Sequence, residues 1–158
     1  MNLFLVQHGE AVDKEVDPER PLTGKGEREV GAVGAFLAQG GLRVPSIWHS
    51  GKLRALQTAE ILATHIGLDA EVEEQGGLAP TDPPLTMVER LRKIHEDVLL
   101  VGHLPHLAKL ASLLLVGKEE APLIAFKNGG VVCLTREDNS PWLVRWVVVP
   151  NLVRRTGM

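Results

Sequence analysis

Apolar and polar positions fall in blocks along the chain, and each block predicts an element. Leu3, Phe4, Leu5 and Val6 are consecutive and apolar, so residues 2–7 read as a short buried strand. "DKEVDPERPLT" follows, polar and twice interrupted by proline, and predicts a loop. Thr23 is placed to cap a helix running to about Ala38, with Val30, Val33 and Leu37 along one face. "QGG" at 39–41 ends it, and "SIWHS" at 46–50 is a second short strand. Residues 52–66 predict the next helix, with Ala55, Ala59, Leu62 and Ile66 inward and Gly67 as the stop.

"QGGLAPTDPPLT" is loop by composition, and the spacing of Leu85, Val88 and Leu91 predicts a helix over about 84–96. "DVLLVGH" at 97–103 reads as a buried strand ending in a Gly-His pair. Pro105 suits the first turn of a helix that continues through "LAKLASLLL" to Gly117. The period then switches. "VVCLT", the polar turn "REDNSP" and "WLVRWVVV" predict a hairpin. There is no repeat, low-complexity tract or internal linker.

Alternation of strand and helix over the first two-thirds predicts an α/β fold: a mostly parallel central sheet flanked by helices, with an antiparallel C-terminal hairpin. A length of 158 residues matches one domain, 1–158, with a core of its own. A net charge of −3 argues against nucleic acid or a membrane surface as the main partner. Neither a signal-peptide pattern nor an apolar run of membrane-spanning length appears, so the expectation is a cytoplasmic protein. The single cysteine, Cys133, lies in the apolar run "VVCLT" and reads as a buried strand residue.

In sheets of this kind ligands gather beyond the carboxyl ends of the strands. His8, Ser50 and His103 each follow a predicted strand, and Arg54 lies one turn into the helix after the second. Two histidines and an arginine, with helix N-termini near 23, 52 and 105, suit an anion such as phosphate. A neutral imidazole nitrogen can also attack phosphorus and carry the phosphoryl group. Gly9 permits close approach to the His8 ring. Metal readings fail: "HLPH" at 103–106 lacks the spacing and partners of a zinc site, so His106 is not taken as a ligand. "HGE" at 8–10 lacks the two cysteines a zinc deaminase needs. His49, His65 and His95 read as structural.

"QHGEA", "RPLTGKG", "SGKLRALQTAE" and "LLVGHLP", in that order and at these spacings, resemble the histidine phosphatase superfamily. Its fold is phosphoglycerate mutase-like, a three-layer sandwich, and the short SixA-type phosphohistidine phosphatases are the most similar in outline. The resemblance covers nearly the whole chain. It implies that His8 is a nucleophile that becomes phosphorylated and that Arg54 and His103 complete the phosphate pocket, with Thr23 at its edge. It implies no cofactor and no metal. The substrate would be phosphohistidine on a partner protein, a phosphotransfer or signalling domain, and inorganic phosphate the product.

The chain departs from the family at Gln7, where the pattern has an arginine that grips the phosphate. A neutral amide donates a bond about half as strong as a charged group does. Losing one charged contact in the transition state costs on the order of 2–4 kcal/mol. Arg20 or Lys25, from the adjoining loop, can replace that charge, or can be solvated loop cations. Two carboxyls stand as proton donors: Asp82, whose alternative is a turn-forming role before Pro83, and Glu10, which can instead orient His8 or bond to backbone. Besides the phosphohistidine phosphatase, two further readings stand. One is a phospho-ligand binding protein whose catalysis Gln7 has impaired, and the other a phosphatase of small phosphate esters.

Overall fold

The computed structural model describes residues 1–153. Strand β1 (Asn2–Gln7) forms where four apolar residues run together, and all four are fully excluded from solvent. It is followed by α1 (Gly24–Gln39), β2 (Ser46–His49), α2 (Leu53–Ile66), β3 (Glu71–Glu74), α3 (Pro84–Leu91), β4 (Val98–Gly102), α4 (His106–Val116), β5 (Val131–Thr135) and β6 (Leu143–Val148). A 3-10 turn covers Pro150–Leu152.

The six strands make one sheet in the order β3-β2-β4-β1-β5-β6. β1 pairs parallel with β4, and β2 parallel with both β3 and β4. β5 and β6 add antiparallel strands beyond β1, the expected C-terminal hairpin. Alternate residues serve opposite faces, as the pleat requires. Phe4, Val6, Ile47, Leu99 and Val101 pack under α1 and α2, against Val30, Val33, Leu37, Ala59 and Leu62. Leu3, Leu5, Leu100, Val132 and Leu134 pack under α3 and α4, against Met87, Leu91, Leu107 and Leu110. The result is the three-layer sandwich. α1 and α2 approach closely at Gly34, where a β-carbon would come within 2.8 Å of the His65 ring, so that histidine is packing material.

Two expectations need correction. α3 ends at Leu91 rather than near 96, and Leu85 is exposed; Pro84, Met87 and Leu91 face inward instead. The proline pair at 83–84 starts this helix, and a Met at the i+3 position fills the core that Leu85 was expected to fill. The sequence reading also passed over β3, which carries one apolar residue, Val72, among three glutamates. Cys133 is buried in β5, and burial pushes its thiol up to about 11. Among the described residues no helix is long and apolar enough to cross a membrane.

Candidate active site

β1, β2 and β4 are neighbours running the same way, so the residues following their carboxyl ends converge. His8 follows β1, Ser50 follows β2 and His103 follows β4. The rings of His8 and His103 lie with centroids 5.0 Å apart, and the Ser50 hydroxyl sits 2.6 Å from His103 Nε2.

His8 is buried and held by backbone bonds and by one side chain. Its amide donates to the Gly102 carbonyl, and its own carbonyl accepts from the Asn128 amide side chain at 2.9 Å. The ring nitrogen Nδ1 lies 2.7 Å from the Gly9 carbonyl oxygen. A carbonyl can only accept, so Nδ1 carries the proton and the neutral ring keeps its lone pair on Nε2. Burial lowers the pKa of His8; the Gly9 bond opposes this, and the charges of Arg54 and Arg20 lower it further. His103 is pushed down to about 3, first by burial and then by His8, Arg54 and Lys52. Both rings are therefore neutral near pH 7.

Three cations surround these rings. Arg54 stands in the first turn of α2, its Nε buried without a hydrogen-bond partner, and burial together with Arg20 lowers its pKa. Arg20 arrives from the loop after β1, which folds back on itself. Val12 and Thr23 donate to the Pro21 and Glu10 carbonyls, and Ala11 bridges Leu22. Arg20 takes φ 51° at this bend and donates from Nε to the Val12 carbonyl at 3.0 Å. Lys52, exposed at the cap of α2, is near enough for its charge to act on His103. Among the described residues the one ion pair is Arg92–Glu89, at the C-terminal end of α3. Among the described residues neither Arg20 nor Arg54 has a carboxylate partner, which leaves their charge for an anion.

Of the remaining candidates, Thr23, Glu10 and Asp82 are held by bonds of their own. Gln7 ends β1, and its Oε1 is buried without a partner. The Thr23 hydroxyl caps α1 by accepting from the Gly26 amide at 2.9 Å and donates to the Glu10 carboxylate at 3.0 Å, so it ties the loop to the helix. Glu10 is thereby held beside the site by Thr23. Asp82 accepts from the Ala79 amide at 2.9 Å, a turn-forming bond, and its charge acts on the buried His106 rather than on His8. Lys25 is exposed in the first turn of α1. His49 accepts from the Gly51 amide and shapes the turn out of β2, while His95 lies exposed after α3.

Two supporting residues were not singled out from the sequence. Thr58, one helical turn after Arg54, accepts from the Gly9 amide at 3.0 Å and donates to the Arg54 carbonyl at 2.8 Å. It couples the loop that follows His8 to the helix that carries Arg54. The i, i+4 spacing within "RALQT" was the available signal. Asn128 and Gly129 hold the backbone of Gln7 and His8 from across the chain, and only the "NGG" turn pattern hinted at them. Among the described residues no three His, Cys, Asp or Glu side chains converge in a way that could hold a metal ion. An apolar groove of about 590 Å³ between Phe36, Leu42 and Trp146 contains no titratable group.

Comparison with known proteins agrees with this geometry. A sequence description of the histidine phosphatase superfamily (branch 1) matches residues 3–79. An uncharacterized protein of a Picosynechococcus species is 33% identical over 166 residues, covering 94% of this chain and 99% of its own. The structure of the protein histidine phosphatase SixA complexed with tungstate superposes with a TM-score of 0.84 at 26% identity, covering 96% of this chain and 99% of that one. The alpha-ribazole phosphatase of Shigella flexneri shares the fold at a TM-score of 0.76 and 15% identity, over 95% and 96% of the two chains. With the sheet order, the paired histidines and the unpaired arginines all in place, the chain belongs to the histidine phosphatase superfamily and is SixA-like within it.

Proposed function

We propose that this protein is a phosphohistidine phosphatase that removes the phosphoryl group from a histidine of a partner protein through a phospho-His8 intermediate. The observation that carries the reading is the Nδ1 bond of His8 to the Gly9 carbonyl, which aims chemistry at Nε2 beside two arginines without carboxylate partners. The Nε2 lone pair attacks phosphorus, the P–N bond to the substrate imidazole breaks, and that imidazole leaves with a proton. Water then attacks phospho-His8 and releases inorganic phosphate. Arg54, Arg20 and the Gln7 amide hold the phosphoryl oxygens, and His103 completes the set.

Arg20 answers the substitution at position 7. Its charge reaches both His8 and Arg54, so a second guanidinium stands at the site although β1 ends in a neutral amide. Phosphohistidine suits the site for another reason. Once protonated, its imidazole is a good leaving group, so the site needs no strong general acid, and the Asp82 carboxylate is already engaged in a turn. The likeness to the protein histidine phosphatase SixA supports the same substrate class.

The test is phosphate release from a phosphohistidine-bearing phosphotransfer domain, in the presence of a chelator, by wild type, His8→Ala and Gln7→Arg. Turnover by wild type that His8→Ala abolishes is the expected result. No turnover by wild type, with activity appearing in Gln7→Arg, refutes it in favour of a phospho-ligand binder. Activity confined to small phosphate esters refutes the substrate class alone.

A further inference from the structure

We propose that Ser50 is a positioning residue that sets which ring nitrogen of His103 carries the proton, and so makes His103 a donor to the phosphoryl group. The inference rests on the phosphoryl-transfer reading above. β2 and β4 are adjacent and parallel, with His49 opposite Val101, so the residues just beyond them meet. Ser50 is delivered by a sharp turn. Gly51 holds φ +90°, and a β-carbon there would lie 2.4 Å from the Glu74 carboxylate. Its amide donates to His49 Nδ1 at 3.1 Å.

Ser50 Oγ accepts from the Lys52 amide at 3.4 Å, which occupies one of its two lone pairs. No other acceptor for its proton is found among the described residues, and we assign that proton to His103 Nε2, 2.6 Å away. A neutral His103 then holds its proton on Nδ1, which is buried and has no partner among the described residues. Buried donors without acceptors are uncommon because they are unfavourable, and sites that await an anion are one place they occur. The opposite tautomer would donate Nε2–H to Ser50 and turn a lone pair toward phosphoryl oxygens, which repel it. Ser50 thus selects the tautomer that chemistry at this site requires. His103 is neutral near pH 7, since burial and the charges around it suppress protonation, so its tautomer rather than its charge decides what it offers.

The experiment is a long-range proton–nitrogen spectrum of the imidazole rings at pH 7 for wild type, Ser50→Ala and Ser50→Thr, each then titrated with tungstate and assayed on phosphohistidine. The wild type is expected to show His103 as the Nδ1–H tautomer. Ser50→Ala is expected to show a mixture and to lose about tenfold in tungstate affinity and in kcat/KM, the scale of one lost hydrogen bond. Ser50→Thr, which keeps the hydroxyl, restores the tautomer and the affinity. An Nε2–H tautomer in wild type, or unchanged spectrum and affinity in Ser50→Ala, overturns the proposal. If wild type fails to hydrolyse phosphohistidine while spectrum and tungstate binding still follow Ser50, the substrate assignment falls and the positioning role stands.

Discussion

Replacing Arg20 by glycine separates the charge of the site from the stability of the fold. Arg20 holds φ 51°, a left-handed conformation that costs a non-glycine residue about 1–2 kcal/mol. Glycine relieves that strain but gains about 1 kcal/mol of extra freedom in the unfolded chain. The substitution also removes the Nε bond to the Val12 carbonyl, worth about 1 kcal/mol when partly buried. These contributions nearly cancel, so the unfolding free energy is expected to move by about 1 kcal/mol or less. Activity behaves differently. Loss of a guanidinium from the transferring phosphoryl group lowers kcat by about 10²–10³-fold. Urea unfolding measures the first effect, and phosphate release with tungstate titration measures the second. Gln7→Arg introduced into Arg20→Gly then recovers at least about tenfold, because a charged donor returns to the same oxygens. Wild-type kcat/KM and tungstate affinity in Arg20→Gly would refute the assignment of Arg20 to the phosphate.

Further predictions concern pH and packing. If His8 attacks as the neutral ring, burial holding its pKa below 6.5 places the midpoint of the acid limb of kcat/KM below 6.5, and an inflection above 6.5 contradicts this. Burial depresses His8, His49, His103 and His106 alike, His103 to about 3. The unfolded chain therefore binds more protons below pH 6.5, and urea midpoints should drop steadily between about 6.5 and 3. Thr58→Val strips the buried Gly9 amide of its acceptor and should destabilise by about 1–3 kcal/mol in urea. A β-carbon at Gly26 would fall 2.2 Å from the Glu10 carbonyl, whereas one at Gly31 meets nothing within 4 Å. Gly26→Ala should thus lower the melting temperature, and Gly31→Ala raise stability by about 0.5–1 kcal/mol as a better helix former.

Legibility followed burial. Strands β1 and β4 announced themselves as unbroken apolar runs because both their faces are covered. Strand β3 did not, since it is an edge whose glutamates face water and guard it from further pairing. The Leu85 misreading has a related origin, as Leu85, Val88 and Leu91 fitted a helical face while Pro84 and Met87 joined Leu91 in the core. At the site, His8, Ser50 and His103 could be placed together because strand ends in a parallel sheet share one rim. Arg20 and Asn128 act across loops, one through a backbone bend and the other from 120 residues away. No local pattern encodes such closures, which depend on where the chain returns.

The place of β1 in the sheet has a consequence for how the site moves. Flanked by β4 and β5, with its interior sealed from solvent, it can release the amides of Leu3 to Val6 to hydrogen exchange only when the whole sheet opens. His8 lies two residues past that segment, and its own amide is bonded to the Gly102 carbonyl of β4, so its backbone is tied to the same sheet. Arg20 belongs to a loop outside the sheet, held by the Val12–Pro21 and Thr23–Glu10 backbone bonds and by its own Nε bond to Val12. The charge of Arg20 and the position of His8 therefore depend on different parts of the fold. Room for sequence change lies in the mostly exposed residues 13–19 of that loop, while Gly9, Leu22 and Thr23 at its ends and the strand before it are held by packing and hydrogen bonds.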